Sequence, residues 1–100
     1  MSKLKLEVKC DKRIEFEVRA ILSYLVFSRE PISSFAEKVD VSRREIYRLF
    51  DGYGSYRQQS AVAFKILDKM EITSQEIAKL NNGLDKLIEM SEYILAGDTV

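Results

Sequence analysis

Residues 34–50, SFAEKVDVSRREIYRLF, constrain the fold of this chain more than any other stretch. Two pairs within it, Ser34 with Glu37 and Ser42 with Glu45, have the Ser-x-x-Glu spacing of a capping box. In a capping box the Ser oxygen accepts an unbonded backbone N–H at the start of a helix, and the Glu bonds back to the cap residue. Asp40 and Val41 lie between the two predicted helices and leave room only for a tight turn.

The side chains of this stretch separate into an inner and an outer set. The inner, apolar set comprises Phe35, Ala36, Val39, Val41, Ile46 and Leu49. The outer set on the second helix comprises Arg43, Arg44, Tyr47 and Arg48. A helix that enters the DNA major groove places its N-terminal residues near base edges, where Arg can donate two hydrogen bonds to guanine. The second helix is therefore a candidate DNA-reading helix.

This pattern resembles the helix-turn-helix of the lambda-repressor-like (Cro/phage repressor) family of DNA-binding proteins. Residues 46–52, IYRLFDG, resemble the exit of that family's recognition helix. The family's fourth helix and the apolar residue that follows it are matched in this chain by Phe64, Ile66, Leu67, Met70 and Ile72. The resemblance covers residues 32–72. Residues 41–50, VSRREIYRLF, are also similar to the recognition helix of TetR-type repressors, whose long ligand-binding domain a chain of 100 residues cannot accommodate.

The chain departs from the lambda-repressor-like pattern in and after the turn. Asp40 stands where the family usually has Gly, at a position expected to need positive φ, which Asp tolerates better than most residues. Phe50 replaces the usual Glu, and the loop after Gly52 is longer. Gly52 itself is placed to end the recognition helix in the left-handed conformation.

The N-terminal part of the chain contains two periodic patterns. Residues 3–10 alternate apolar and charged side chains, which predicts a half-buried strand. Such a strand needs a partner; it either pairs with the same strand of a second subunit or is a loosely docked tail. Residues 14–18 also fit a hairpin with it, but helical spacing over a longer window predicts a helix over residues 12–28. Pro31 ends that helix, because proline disfavours the α conformation of the residue before it.

The C-terminal part contains two further helix starts. Ser55 is a cap for a fourth helix that ends near residue 70, and Thr73 with Glu76 forms another capping box. Residues 81–83, Asn-Asn-Gly, either bend the last helical region or lie within one helix. The apolar residues expected to form a dimer contact there are Leu80, Leu84, Leu87, Ile88 and Ile94.

The predicted fold is therefore mostly α. It is a five-helix lambda-repressor-like helix-turn-helix domain with a short N-terminal β-strand and a C-terminal helical dimerisation segment. The N-terminal strand or arm covers residues 1–11, the helix-turn-helix domain covers residues 12–72, and the C-terminal helix with the expected dimer contact covers residues 73–100.

Composition limits the range of functions. The 16 basic and 16 acidic residues balance, but residues 42–65 hold five cations and two acids, a local charge of +3, and residues 71–100 hold two cations and six acids, a local charge of −4. The pI of about 6.3 is lower than that of a typical nucleic-acid-binding domain. The chain has no histidine, one cysteine and no Gly-rich phosphate loop. We therefore expect that the protein is not an enzyme and binds no cofactor or metal. We also expect it to be cytoplasmic and to have no membrane-spanning segment.

The sequence predicts a sequence-specific DNA-binding transcriptional regulator, a small homodimer of the phage or mobile-element type. The predicted contacts to double-stranded DNA are Ser33, Ser34, Ser42, Arg43, Arg44, Tyr47, Arg48, Arg57 and Gln58. The alternative is an adaptor or antitoxin that uses the same helical domain to bind a protein partner on its acidic C-terminal helix.

Overall fold

Over residues 6–98 the fold consists of five α-helices, as the sequence predicts. They are α1 (Glu15–Ser28), α2 (Ile32–Val39), α3 (Arg43–Asp51), α4 (Tyr56–Met70) and α5 (Ser74–Asp98). A single 3-10 turn, Lys12–Ile14, precedes α1. The computed structural model describes the backbone of residues 6–98 and the side chains of residues 6–91.

The core lies between α1, α2, α3 and α4. Its fully buried side chains include Val18 and Ile21 from α1, Phe35 from α2, Ile46 from α3 and Ile66 from α4. The predicted inner residues Phe35, Ala36, Val39, Val41, Ile46 and Leu49 are all buried. The helical period therefore identified correctly which side of α2 and α3 faces inward.

The strand predicted over residues 3–10 is absent from its described part, residues 6–10, which have no partner strand. Val8 packs against the helical core and Cys10 is buried in it, whereas Glu7 and Lys9 are exposed. One backbone bond, from the Lys9 N–H to the Phe50 carbonyl at 2.7 Å, ties this segment to the end of α3. The alternation of apolar and charged side chains over residues 6–10 therefore reflects a single segment that lies over helices. Residues 1–5 of the predicted strand lie outside the described residues.

Burial also sets the chemistry of the chain's one cysteine. Desolvation, together with the nearby Glu15 carboxylate, raises the pKa of the Cys10 thiol to about 11. The thiol is therefore protonated at neutral pH and behaves as a small apolar side chain.

The capping box predicted for Ser34 with Glu37 is wrong. Helix α2 begins three residues earlier with Pro31 as its N-cap, and the Phe35 N–H donates to the Pro31 carbonyl at 3.0 Å. The Ser34 hydroxyl instead donates to the Glu30 carboxylate at 3.3 Å. Pro31 has φ −59° and ψ 139°, the extended conformation of an N-cap residue, and the helix begins at the next residue.

The other predicted caps form. Ser42 accepts the Glu45 N–H at 3.1 Å, but the Glu45 side chain makes no return bond to the Ser42 backbone, so this capping box is only half formed. Ser55 and Gln58 make both bonds of a capping box at the start of α4. Thr73 accepts the Glu76 N–H at 3.2 Å at the start of α5.

Helix α5 is continuous through residues 81–83 and packs along α1. Asn81 is buried, and its amide donates to the Phe16 carbonyl at 2.8 Å and accepts from the Arg19 Nε–H at 3.0 Å. Arg19 also pairs with Asp85. These polar contacts set the register of α5 on α1, and they explain why the Asn-Asn-Gly stretch remains helical.

Gly83 lies inside α5, where a Cβ atom would be 3.3 Å from the ring of Phe27. We expect Gly83→Ala to stabilise the protein by up to about 1 kcal/mol, because alanine favours helix and the half-exposed Phe27 ring is free to move slightly. Urea denaturation followed by circular dichroism measures the change. A loss of stability would mean that the Phe27 ring is held rigidly against α5.

Candidate nucleic-acid interface

The turn between α2 and α3 holds α3 at a set angle to the core. Asp40 adopts the left-handed conformation at φ 56° and ψ 44°, as predicted for this position. Val41 is buried at the corner, and its N–H donates to the Ala36 carbonyl at 3.1 Å. Ser42 then caps α3. Backbone bonds and a buried valine therefore fix where α3 begins.

The outer face of α3 carries the four side chains predicted from the sequence: Arg43, Arg44, Tyr47 and Arg48. All four are exposed, and half of the Tyr47 surface, 51%, is accessible. Among the described residues, none of these arginines forms an ion pair, and neither Glu45 nor Asp51 neutralises Arg48. Their charges are available to an external anion, and Ile46 and Leu49 anchor the same helix in the core.

Two of the predicted contacts share a cleft between α3 and α4. The cleft has a volume of about 170 Å³, and both Arg48 and Gln58 line it, with Tyr53 at the same opening. Gln58 also accepts the Ser55 N–H at 3.0 Å through its side-chain oxygen. Its amide NH₂ remains available, so a polar group that contacts Arg48 can also contact the start of α4.

Arg57 is exposed in the first turn of α4 and, within the part of the chain that the structure describes, has no ion-pair partner. The adjacent Gln59 is buried instead, with 6% of its surface accessible. Its amide donates to the carbonyls of Gly52 at 3.3 Å and Gly54 at 2.8 Å, and its oxygen accepts the Asp11 N–H at 2.9 Å. Gln59 is therefore unable to hold flanking DNA; it holds the loop after α3 to the N-terminal segment.

The start of α2 is less favourable to an anion than its hydroxyls suggest. Ser33 and Ser34 are both exposed, but the Ser34 hydroxyl donates to the Glu30 carboxylate. Glu30 also accepts from the Tyr24 hydroxyl at 3.1 Å and lies 3.8 Å from the Lys38 ammonium. A phosphate at Ser34 would lie beside the Glu30 carboxylate. Of the two serines, only Ser33 therefore has a hydroxyl that does not bond to this carboxylate.

An arginine that the sequence analysis did not single out lies near the same surface. The Arg13 guanidinium stacks on the Tyr56 ring at 3.8 Å, and two hydrogen bonds of 3.0 Å join it to the Asp11 carboxylate. This pairing lowers the pKa of Asp11 to about 2. Because 43 residues separate Arg13 from Tyr56, no local sequence signal identifies the contact; it forms because residues 9–11 lie across the end of α3.

The predicted dimer residues occupy different environments. Leu84 is fully buried within the chain, so no surface of it is left for a second subunit. Leu80, Leu87 and Ile88 are partly buried, and the side chain of Ile94 lies outside the described residues. The largest exposed apolar side chain described on α5 is Met90, at 59%.

Two further properties concern the described residues. Among them, no three His, Cys, Asp or Glu side chains gather in a group able to hold a metal ion. No helix within that range combines the length and the apolar character needed to cross a membrane.

Comparison with protein-family models, with curated proteins and with solved structures finds no match to this chain.

Proposed function

We propose that this chain is a sequence-specific DNA-binding transcriptional regulator that places α3 in the major groove. The observation that carries the proposal is the outer face of α3, where three arginines and Tyr47 are exposed and the arginines are unpaired among the described residues. The Ser42 cap and the buried turn hold this face in one orientation. The resemblance of residues 32–72 to the lambda-repressor-like family supports the same assignment.

The side chains of this surface differ in their proposed roles. Arg43 and Arg44, in the first turn of α3, contact base edges, since Arg matches the paired acceptors of guanine. Tyr47 contacts a thymine methyl group or a phosphate. Arg48 and Gln58, which line one cleft, bind a backbone phosphate, and Arg57 binds the flanking strand. Ser33 and Ser42 lie at the edges of this surface.

The balanced overall charge supports a dimer on DNA. Among its described residues one subunit presents four unpaired arginines near α3, and each phosphate contact contributes modestly to affinity. Two subunits on a palindromic operator double these contacts and place two recognition helices one helical turn apart, about 34 Å. We therefore propose a homodimer as the functional form.

The test is selection of binding sites from random duplex DNA, followed by fluorescence anisotropy at two salt concentrations. We expect a palindromic site, and an affinity that falls steeply as salt rises. Arg44→Ala should weaken binding to that site by about 5- to 150-fold, which corresponds to the ~1–3 kcal/mol of one bidentate base contact.

Lys79→Ala is the matched control, because Lys79 is an exposed cation on α5 and its loss removes the same charge. It should leave the affinity unchanged. Absence of binding at low salt by a folded wild-type protein would refute the proposal, and equal losses in the two variants would show that only net charge matters.

A second candidate is a protein-binding adaptor or antitoxin, and the exposed Met90 on α5 is the observation that favours it. Under this alternative, Met90→Glu would abolish the biological activity, whereas Arg44→Ala would leave it intact. An antitoxin that also binds its own operator would be impaired by both substitutions.

A further inference from the structure

A groove runs along the outer side of α4, away from α3. It has a volume of about 780 Å³ and lies between α4, the start of α5 and Glu17 of α1. Its apolar lining consists of Ala61, Phe64, Leu67, Ile72 and Ile77. Phe64 forms one wall and has 52% of its surface accessible. An aromatic side chain this exposed beside an apolar groove marks a contact surface.

The groove and the DNA-reading surface occupy different sides of α4. Gln58, Gln59 and Val62 line the cleft toward α3, whereas Ala61, Phe64 and Asp68 line the groove. A helix advances 100° per residue, so the mean directions of these two sets differ by about 130° around α4. A partner in the groove would leave the outer face of α3 uncovered.

We propose that the occupant of this groove is a second copy of the chain, with the two α4 helices packed antiparallel about a two-fold axis. In a two-fold contact the same surface meets itself, so each copy must supply both a projection and a recess. Phe64 is the projection, and Leu67, Ile72 and Ile77 line the recess. With the axis between residues 66 and 67, Phe64 of each copy faces the C-terminal end of the other α4, where Leu67 and, just after the helix, Ile72 line the groove.

The charges at the rim of the groove match this arrangement. Lys65 and Asp68 both line the groove and lie at equal distances along α4 from the proposed axis. Antiparallel packing therefore places Lys65 of each copy opposite Asp68 of the other, which forms two ion pairs. Asp68 has no ion-pair partner among the described residues of its own chain, and Lys65 has only the exposed Asp40 carboxylate at 3.8 Å.

The α4 contact would supply the dimer that the proposed function requires, and to that extent it rests on the proposed function. This assignment moves the dimer contact from the α5 seam, in which Leu84 is already buried by its own chain, to α4.

Sedimentation velocity of the full chain without DNA tests the proposal. We expect a concentration-dependent dimer for the wild type. Phe64→Glu should raise the dimer dissociation constant by roughly 30-fold or more, the effect of losing a central aromatic contact. Met90→Glu, on the exposed side of α5, is the matched control and should leave the constant unchanged. Circular dichroism verifies that each variant is folded.

Charge reversal tests the pairing itself without disturbing the core. Lys65→Asp and Asp68→Lys should each weaken self-association, because each places like charges across the axis. A mixture of the two variants should associate again as a heterodimer, since every acid then faces a lysine. These substitutions are made in an Asp40→Asn background, in which the competing carboxylate within the chain is gone and the asparagine still suits the left-handed conformation.

A wild type that is monomeric at every concentration up to its solubility limit would overturn the proposal. Dissociation by Met90→Glu but not by Phe64→Glu would overturn it as well, and so would a mixture that fails to associate. The outcome is independent of the test of function. A dimer that does not bind DNA would refute only the proposed function, and a chain that is monomeric in solution but binds a palindromic site in pairs would refute only the α4 contact.

Discussion

Gly52→Ala is expected to destabilise the protein by about 2–4 kcal/mol. Gly52 ends α3 at φ 80°, where a residue with a side chain loses ~1–2 kcal/mol. A Cβ atom there would also lie 2.0 Å from the Lys9 carbonyl oxygen, a backbone atom that is unable to move alone. Residues 8–10 would have to shift, and the bond from the Lys9 N–H to the Phe50 carbonyl, a further ~1 kcal/mol, would be lost. Urea denaturation measures the loss.

Gly54→Ala provides the matched control for this prediction. Gly54 also has positive φ, 93°, but the atom nearest to its added Cβ, at 2.8 Å, is the side-chain oxygen of Gln58. That side chain is exposed and is able to move, so the loss is limited to the conformational cost and the exposed bond from the Ser55 N–H to the Gln58 side chain. Equal losses at the two glycines would show that the N-terminal segment contributes little stability where it crosses the end of α3.

Gln59→Leu is expected to cost about 2–3 kcal/mol, although leucine has a similar volume and is more apolar. The substitution leaves the Asp11 N–H and the carbonyls of Gly52 and Gly54 without their partner. Each polar group that is left unpaired in a partly buried site costs about 1–3 kcal/mol, partly offset here by added apolar burial and by entry of water. Urea denaturation again gives the change in the free energy of unfolding.

Gln58→Leu is the control for the neighbouring glutamine. It removes only the exposed bond from the Ser55 N–H, at 3.0 Å, and should cost no more than about 1 kcal/mol. The ranking should reverse in DNA binding, where Gln58 lies on the proposed interface and Gln59 does not. A Gln58 variant with the larger loss of stability would contradict the assignment of the buried network to Gln59.

Helix boundaries were predictable wherever the signal was local. The caps at Ser42, Ser55 and Thr73, and the left-handed residues Asp40 and Gly52, depend on atoms within a few residues along the chain. The start of α2 was missed even so, because two local signals compete there. Pro31 begins the helix before Ser34 is reached, and the Ser34 hydroxyl bonds to Glu30 instead.

Long-range contacts were not predictable, because one side chain is compatible with several partners until the helices meet. Alternation over residues 3–10 indicates that one side of the segment is buried, and it does not distinguish a neighbouring strand from the helices that cover Val8 and Cys10. The adjacent residues Gln58 and Gln59 have the same side chain and the same helix propensity. Only the rotation of α4 in the folded chain directs one to solvent and the other into the loop after α3.

The sequence by itself determined the five helices, their inner sides and the exposed cations and aromatic of α3. These follow from helical period and capping, which are properties of neighbouring residues. The tertiary structure alone decided three further features: the path of the N-terminal segment over Gly52, the burial of Leu84 against its own chain, and the apolar groove beside Phe64. Each depends on how distant elements pack, and packing selects among the many surfaces that one pattern of apolar residues allows.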